Sequence, residues 1–251
     1  MKIAIMIDGA FYILRAQKIW GNLNPIAAAD KLDEYCRAHI ERTKRDNPDA
    51  ELYRIFFYDC PPGDLQSVYP ISKKPYRYLK FASSKWRNHF HKELMKKRKV
   101  ALRMGEMDIR NPKWVLNEDK LKDLVNEKIT VKDLVDNDFY IDIRQKGVDM
   151  KMGIDIASVS YKKQVEQIIL IAGDSDFVPA AKLARREGID VVLDPLWQTV
   201  KSDLFEHIDG KRSMIKNPNM PGNDNRIIRE FKFKKDKKFR GKLKRNQKDK
   251  D

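Results

Sequence analysis

The chain predicts an α/β fold, a mainly parallel sheet covered by helices on both faces. Three observations carry that prediction. Two short runs are continuously apolar, Ile3-Ala4-Ile5-Met6-Ile7 and Ile168-Ile169-Leu170-Ile171-Ala172, the composition of parallel strands buried on both faces. Each run ends in an acidic turn, Asp8-Gly9 in the first case and Gly173-Asp174 in the second. Stretches with helical spacing alternate with further strand-like runs along the chain, the pattern of a sheet wound with crossover helices. Ligands of open α/β sheets bind outside the carboxyl ends of the strands, so acids placed there stand where chemistry occurs.

Lys2 to Ile7 is the first strand, and Asp8-Gly9 turns the chain. Alone, an aspartate before a glycine reads as a turn residue; its repetition at Asp174 favours function. Phe11 to Trp20 has helical spacing, with Phe11, Leu14 and Ile19 apolar and Arg15 and Lys18 as cations that can meet phosphates. Ile26 to Arg45 reads as an amphipathic helix with Leu32, Tyr35, Cys36 and Ile40 on one side. Leu52 to Tyr58 follows as a strand. Asp59 stands at its end, but the Cys60-Pro61-Pro62-Gly63 behind it suits a plain loop.

The pattern is less regular over residues 70–137, read as an insertion. Ser84 to Lys97 forms a basic helix with Lys85, Trp86 and Arg87, and Val100 to Gly105 a strand. His89 and His91 lie about 200° apart on that helix, too far round to share one ion, and read as solvated. Lys73, Lys74, Tyr76, Arg77, Tyr78, Lys80, Lys85, Trp86 and Arg87 interleave cations with aromatics. That composition can track a phosphate backbone and stack bases, or equally belong to a peripheral helix packing its rings. Asn111 to Asn137 is expected as one or two short helices around a tryptophan-bearing loop. Phe139 to Ile143 is a strand that leads into Lys146-Gly147-Val148-Asp149. The next helix buries Met152, Ile156 and Val159. Asp155 falls on the same stripe, where a carboxylate must be paired or hold a cation. Beyond the turn Asp174-Ser175-Asp176 come a helix, Phe177 to Arg186, and a strand, Ile189 to Leu193, closed by Asp194-Pro195. Leu204, Phe205 and Ile208 suggest a last short helix.

Charge and cysteine usage narrow the function classes. Lys and Arg number 52 against 37 Asp and Glu, a net charge of +15 and a pI near 9.6. That balance points to a polyanionic partner, nucleic acid ahead of an anionic membrane. No run approaches the ~18 apolar residues of a membrane span, and no signal-type cleavage pattern follows the first strand, so a cytoplasmic protein is expected. Cys36 and Cys60 match no metal or redox spacing and read as buried thiols in a reducing compartment. From Asn217 the composition changes: Pro218, Pro221, Gly222 and Asn223 break structure, and Arg226 to Asp251 is dominated by lysine and arginine. The expected organisation is one domain over residues 1–212 and a basic disordered tail over 217–251, solubilising or an electrostatic arm for nucleic acid. Oligomeric state is open, a homodimer included.

Asp8 and Asp174 would end two strands on one edge, with Asp149 and Asp155 leaning over it. Carboxylates a few ångströms apart repel one another and need cations or shared protons at neutral pH. An all-oxygen site suits Mg²⁺ or Mn²⁺ rather than zinc, and a pair of such ions activates water for an in-line phosphodiester displacement. No serine, cysteine or histidine arrangement competes as a nucleophile.

Ile7-Asp8-Gly9, then Lys146-Gly147-Val148-Asp149 with Asp155 six residues on, then Gly173-Asp174-Ser175-Asp176-Phe177-Val178-Pro179 resembles the NYN domain, the LabA-like branch of the PIN-like nuclease superfamily. The resemblance spans most of residues 1 to about 210. It implies a PIN-like, Rossmannoid three-layer α/β/α fold and divalent-metal-dependent ribonuclease activity. It also implies a metal-site role for Asp8, Asp149, Asp155, Asp174 and Asp176 and a phosphate contact at Lys146 or Ser175. Many NYN proteins carry Asp-Gly-x-Asn after the first strand; this chain has Asp8-Gly9-Ala10-Phe11, so a contact made by that asparagine is absent.

The expected function is a Mg²⁺- or Mn²⁺-dependent endonuclease acting on RNA ahead of DNA. Asp8, Asp149, Asp174 and Asp176 hold metal, Asp155 completes the acidic cluster, and Ser175 positions water or a phosphate oxygen. Arg15, Lys18, Lys85, Arg87 and Lys146 give salt-sensitive affinity for nucleic acid. The alternative is a catalytically silent RNA-binding or adaptor protein on the same fold. A phosphatase of the haloacid-dehalogenase type needs an Asp-x-Asp loop after the first strand, which Asp8-Gly9-Ala10 does not supply.

Overall fold

The computed structural model of the chain describes residues 1–228 apart from Lys201, Pro221 and Asn223; the Asn111 side chain is also undescribed. Most of the expected basic tail, residues 229–251, lies outside the described residues.

The chain opens with β1 (Lys2–Asp8), α1 (Gly9–Trp20), α2 (Pro25–Asp46) and β2 (Glu51–Asp59). Asn24 caps α2, its side chain accepting from the Ala27 amide at 2.9 Å, and Pro25 follows at the position where a missing N–H costs nothing. A short hairpin of β3 (Gln66–Val68) and β4 (Pro75–Arg77) precedes α3 (Ala82–Met95) and β5 (Val100–Met104). Then come β6 (Glu106–Leu116), α4 (Glu118–Val125) and β7 (Phe139–Lys146), followed by α5 (Val148–Tyr161), β8 (Gln167–Ile171), α6 (Val178–Arg186), β9 (Asp190–Asp194), α7 (Ser202–Phe205) and β10 (Gly210–Lys211).

Six strands form one parallel sheet in the order β10-β9-β8-β1-β2-β5. Alternate side chains of each central strand enter two separate cores. Ile3, Ile5 and Ile7 join Ile55, Phe57, Ile169 and Ile171 against α1, α2 and α3. Ala4 and Met6 join Phe56, Tyr58, Ile168 and Leu170 against α5 and α6. Two apolar cores on one sheet explain why these strands read as unbroken hydrophobic runs. The chain runs outward from β1 to β2 and β5, then returns to β8 on the other flank of β1. That reversal makes the carboxyl ends of β1 and β8 the switch point, the place at which open α/β sheets bind ligands.

Three expectations are corrected. Trp114 stands in β6, which pairs antiparallel with β7, and not in a loop between helices. The register breaks between Asp108 and Lys113; Pro112 cannot donate to a ladder, and this irregular stretch disguised the strand. Leu14 does not face the core: it is 61% exposed, and Tyr12 and Ile19 carry the buried face of α1. Residues after Asn217 do not leave the body at once: Ile227 is buried and bridges Ile215, and the Asn225 carbonyl accepts from the Trp20 indole at 2.8 Å.

Candidate active site at the carboxyl edge of the sheet

Register places the two acidic turns side by side. Ile7 of β1 pairs with Ile171 of β8, and Asp8 stands opposite Tyr58 of β2. Both turns depend on glycine for close approach. A Cβ at Gly9 would lie 2.6 Å from the Tyr58 carbonyl oxygen, so no side chain fits between α1 and β2 there. A Cβ at Gly173 would lie 2.5 Å from Cε2 of Phe11. The ring that replaces the asparagine of the Asp-Gly-x-Asn pattern therefore covers the backbone at the end of β8.

Asp8 caps α1, its Oδ1 accepting from the Phe11 amide at 3.1 Å. Burial opposes ionisation and the Phe11 amide favours it; the Asp149 and Asp59 carboxylates add to the opposition, and the carboxyl is pushed up to about 6. Asp149, in the first turn of α5, is raised as well, by partial desolvation and then by Asp174 and Asp176. Asp174 accepts from the Asp176 amide at 3.2 Å and opens the single 3₁₀ turn Ser175–Phe177. Asp174 and Asp176 are exposed, Ser175 is half-buried, and Phe177 anchors the turn in the core. Asp149 thus feels Asp174 and Asp176 and is felt by Asp8, although these acids lie up to 168 positions apart in the chain.

Asp155 is not brought in. Its carboxylate pairs with the Arg103 guanidinium at 2.8 Å and accepts from the Tyr58 hydroxyl at 3.0 Å. Burial and that carboxylate push the Tyr58 hydroxyl up. Six residues along a helix turn the side chain by about 240°, so Asp149 and Asp155 leave α5 on different faces. That offset was the signal in the spacing.

The predicted cations are differently disposed. Arg87 is committed to Asp59, donating Nε to Oδ2 at 2.9 Å and Nη2 to Oδ1 at 2.8 Å. His91 completes the group with Nε2 2.7 Å from Asp59 Oδ2, buried rather than solvated. Lys146 pairs with Asp108 at 2.5 Å. The Arg15 guanidinium donates to the Leu196 carbonyl, with Nη2 at 2.6 Å. Lys18 and Lys85 are exposed. Asp194, at the end of β9, is fully buried and spent on structure: it accepts from Tyr35 Oη and Ser213 Oγ, each at 2.5 Å, and from the Leu196 amide at 2.8 Å, with His39 Nε2 2.8 Å away.

Among the described residues no three His, Cys, Asp or Glu side chains close on a common point. The donor chemistry nevertheless suits a hard divalent cation. All four donors are carboxylates, and a cation beside them favours the ionised form that burial and neighbouring carboxylates oppose at Asp8 and Asp149.

A six-stranded parallel sheet flanked by helices, with acids at its switch point, defines a PIN-like domain. The family model of the NYN domain matches residues 64–204, more than half of the chain. The chain belongs to the NYN domain family, within the PIN-like nuclease superfamily. Its members are generally nucleases acting on nucleic acid, and PIN-like nuclease domains usually use divalent metals. The matched span holds Asp149, Asp174 and Asp176; Asp8 lies before it, on a strand that sits in the middle of the same sheet. No curated protein matches the chain. Among the described residues no helix is long and apolar enough to cross a membrane.

Proposed function

We propose that this chain is a Mg²⁺- or Mn²⁺-dependent endonuclease that hydrolyses phosphodiester bonds, in RNA ahead of DNA. The observation that carries the reading is the placement of Asp8 and Asp174 at the carboxyl ends of adjacent strands of an NYN-family sheet, with Asp149 close enough to act on Asp8 and to be acted on by Asp174 and Asp176. These four carboxylates hold the cation, and the Phe11 and Asp176 amides fix the orientation of Asp8 and Asp174. When bound, the cation neutralises the acids, offsets phosphate charge and activates water for in-line attack at phosphorus. Ser175 lies beside the scissile phosphate as a hydrogen-bonding group. Lys18 and Lys85 add salt-sensitive affinity. Cys36 and Cys60 are buried and free, which suits a cytoplasmic setting.

The test is cleavage of labelled single-stranded RNA in Mn²⁺, with EDTA as control. Asp174→Asn is expected to slow cleavage on the order of a thousandfold while RNA affinity is kept or tightened. Unchanged turnover overturns the proposal. The unclosed arrangement of the acidic side chains favours a second reading, a catalytically silent RNA-binding protein. RNA binding by the native chain with no metal-titrated cleavage assigns that role.

A further inference from the structure

Along α1 the structure holds a cavity of about 570 Å³ that the site described above does not use. Its volume falls within the ~300–1,000 Å³ typical of ligand pockets and accommodates one base with its sugar. Two of the segments that bound it also carry site aspartates. Ala10 lies two residues after Asp8, and Gln145 of β7 lies four residues before Asp149. From Ala10 the cavity extends along α1 to Trp20, so one end of it lies next to the carboxyl edge of the sheet.

Its walls are aromatic and already fixed. Trp86 stacks on Phe90 with centroids 5.0 Å apart and planes 19° apart. The Trp86 indole donates to the Leu23 carbonyl at 2.8 Å and the Trp20 indole to the Asn225 carbonyl at 2.8 Å. The rings thus offer apolar surface with their polar atoms satisfied elsewhere, which lowers the ordering cost of a stacking ligand. The lining also carries hydrogen-bonding groups, among them the Gln145 amide and the Gln17 amide, which donates to Asn22 Oδ1 at 2.5 Å. Tyr12, another lining residue, has a buried hydroxyl with no hydrogen-bond partner among the described residues. A flat aromatic ligand with a polar edge suits such a chamber, and an aliphatic chain would leave the Tyr12 hydroxyl unpaired.

We propose that this cavity takes one unpaired nucleobase of the RNA strand seated at the aspartates. The substrate class is then single-stranded RNA, since a paired base cannot leave its helix without the cost of unstacking. The proposal rests on the nuclease reading above and names where its substrate is held.

The test uses the full chain and short single-stranded RNAs carrying one 2-aminopurine, moved one position at a time. Binding is followed with the cleavage-impaired Asp174→Asn protein, and cleavage of the same RNAs with the native chain in Mn²⁺. One position is expected to show strong quenching. Trp86→Leu should abolish that quenching and weaken binding about tenfold, the stacking contribution of one base. The double substitution Ala82→Leu and Ser83→Leu, at exposed positions lining the cavity, should do the same without disturbing the core. Cleavage and binding with no position-dependent quenching would overturn the base pocket and leave the nuclease reading standing. Neither binding nor cleavage would overturn both. A dimer that the Ala82→Leu/Ser83→Leu chain loses, with no change in RNA binding, would give the cavity to a second copy of this chain instead.

Discussion

Replacing Asp8 by asparagine removes a carboxylate whose ionisation is opposed first by burial and then by its acidic neighbours. Asparagine caps a helix as well as aspartate does, so the hydrogen bond from the Phe11 amide is kept and one charge is removed. In the folded chain the Asp8 carboxyl stands at about 6 against an ordinary value of 3.8. A raised carboxyl favours folding only while it keeps its proton. Its contribution is fully present below pH ~4, falls away as pH rises through the interval from 3.8 to about 6, and is gone above it. A shift of just over two pH units corresponds to about 3 kcal/mol. At pH 7.5 in EDTA the Asp8→Asn chain should therefore be the more stable by up to about 3 kcal/mol. Near pH 4 the two should coincide. Urea denaturation at the two pH values measures the difference. Adding Mg²⁺ or Mn²⁺ at pH 7.5 should narrow the gap, because the cation binds the native carboxylate better than the amide. A gap that is the same at both pH values, or a variant less stable at pH 7.5, would refute the reasoning.

Further outcomes follow from the same geometry. Gly9→Ala drives a methyl group against the Tyr58 carbonyl and should cost about 1–3 kcal/mol by urea denaturation. Arg87→Met leaves Asp59 buried with His91 alone and should destabilise by about 3 kcal/mol. Lys85→Ala, in contrast, should leave stability unchanged and reduce the salt dependence of RNA binding by about one phosphate contact. Asp149→Asn should abolish cleavage, whereas Asp155→Asn should leave it intact, because Asp155 already serves Arg103 and Tyr58; parallel rate measurements decide.

The parallel sheet was legible because its strands are buried on both faces, and burial on both faces leaves an unbroken apolar run. The covering helices were legible from Leu32, Tyr35, Cys36 and Ile40 in α2 and from Met152, Ile156 and Val159 in α5. Of the β6–β7 arm only the second strand, read over Phe139 to Ile143, was. Its strands pair with each other away from the main sheet, and Pro112 interrupts the pattern where the register slips. The pairings of Asp59 with Arg87 and His91 were equally hidden, since partners 28 and 32 residues away leave no trace in local spacing.

By itself, the sequence determined that aspartates stand at the carboxyl ends of buried strands, at residues 8, 59, 174 and 194, and that the family motifs surround two of them. Only the tertiary structure decided which of those acids meet one another and which are neutralised. Asp59 and Asp194 are consumed by buried donors, and Asp155 is turned away by the pitch of its helix. The physical reason is that a carboxylate is governed by the charges and donors within a few ångströms of it, and in this fold those neighbours are drawn from both ends of the chain.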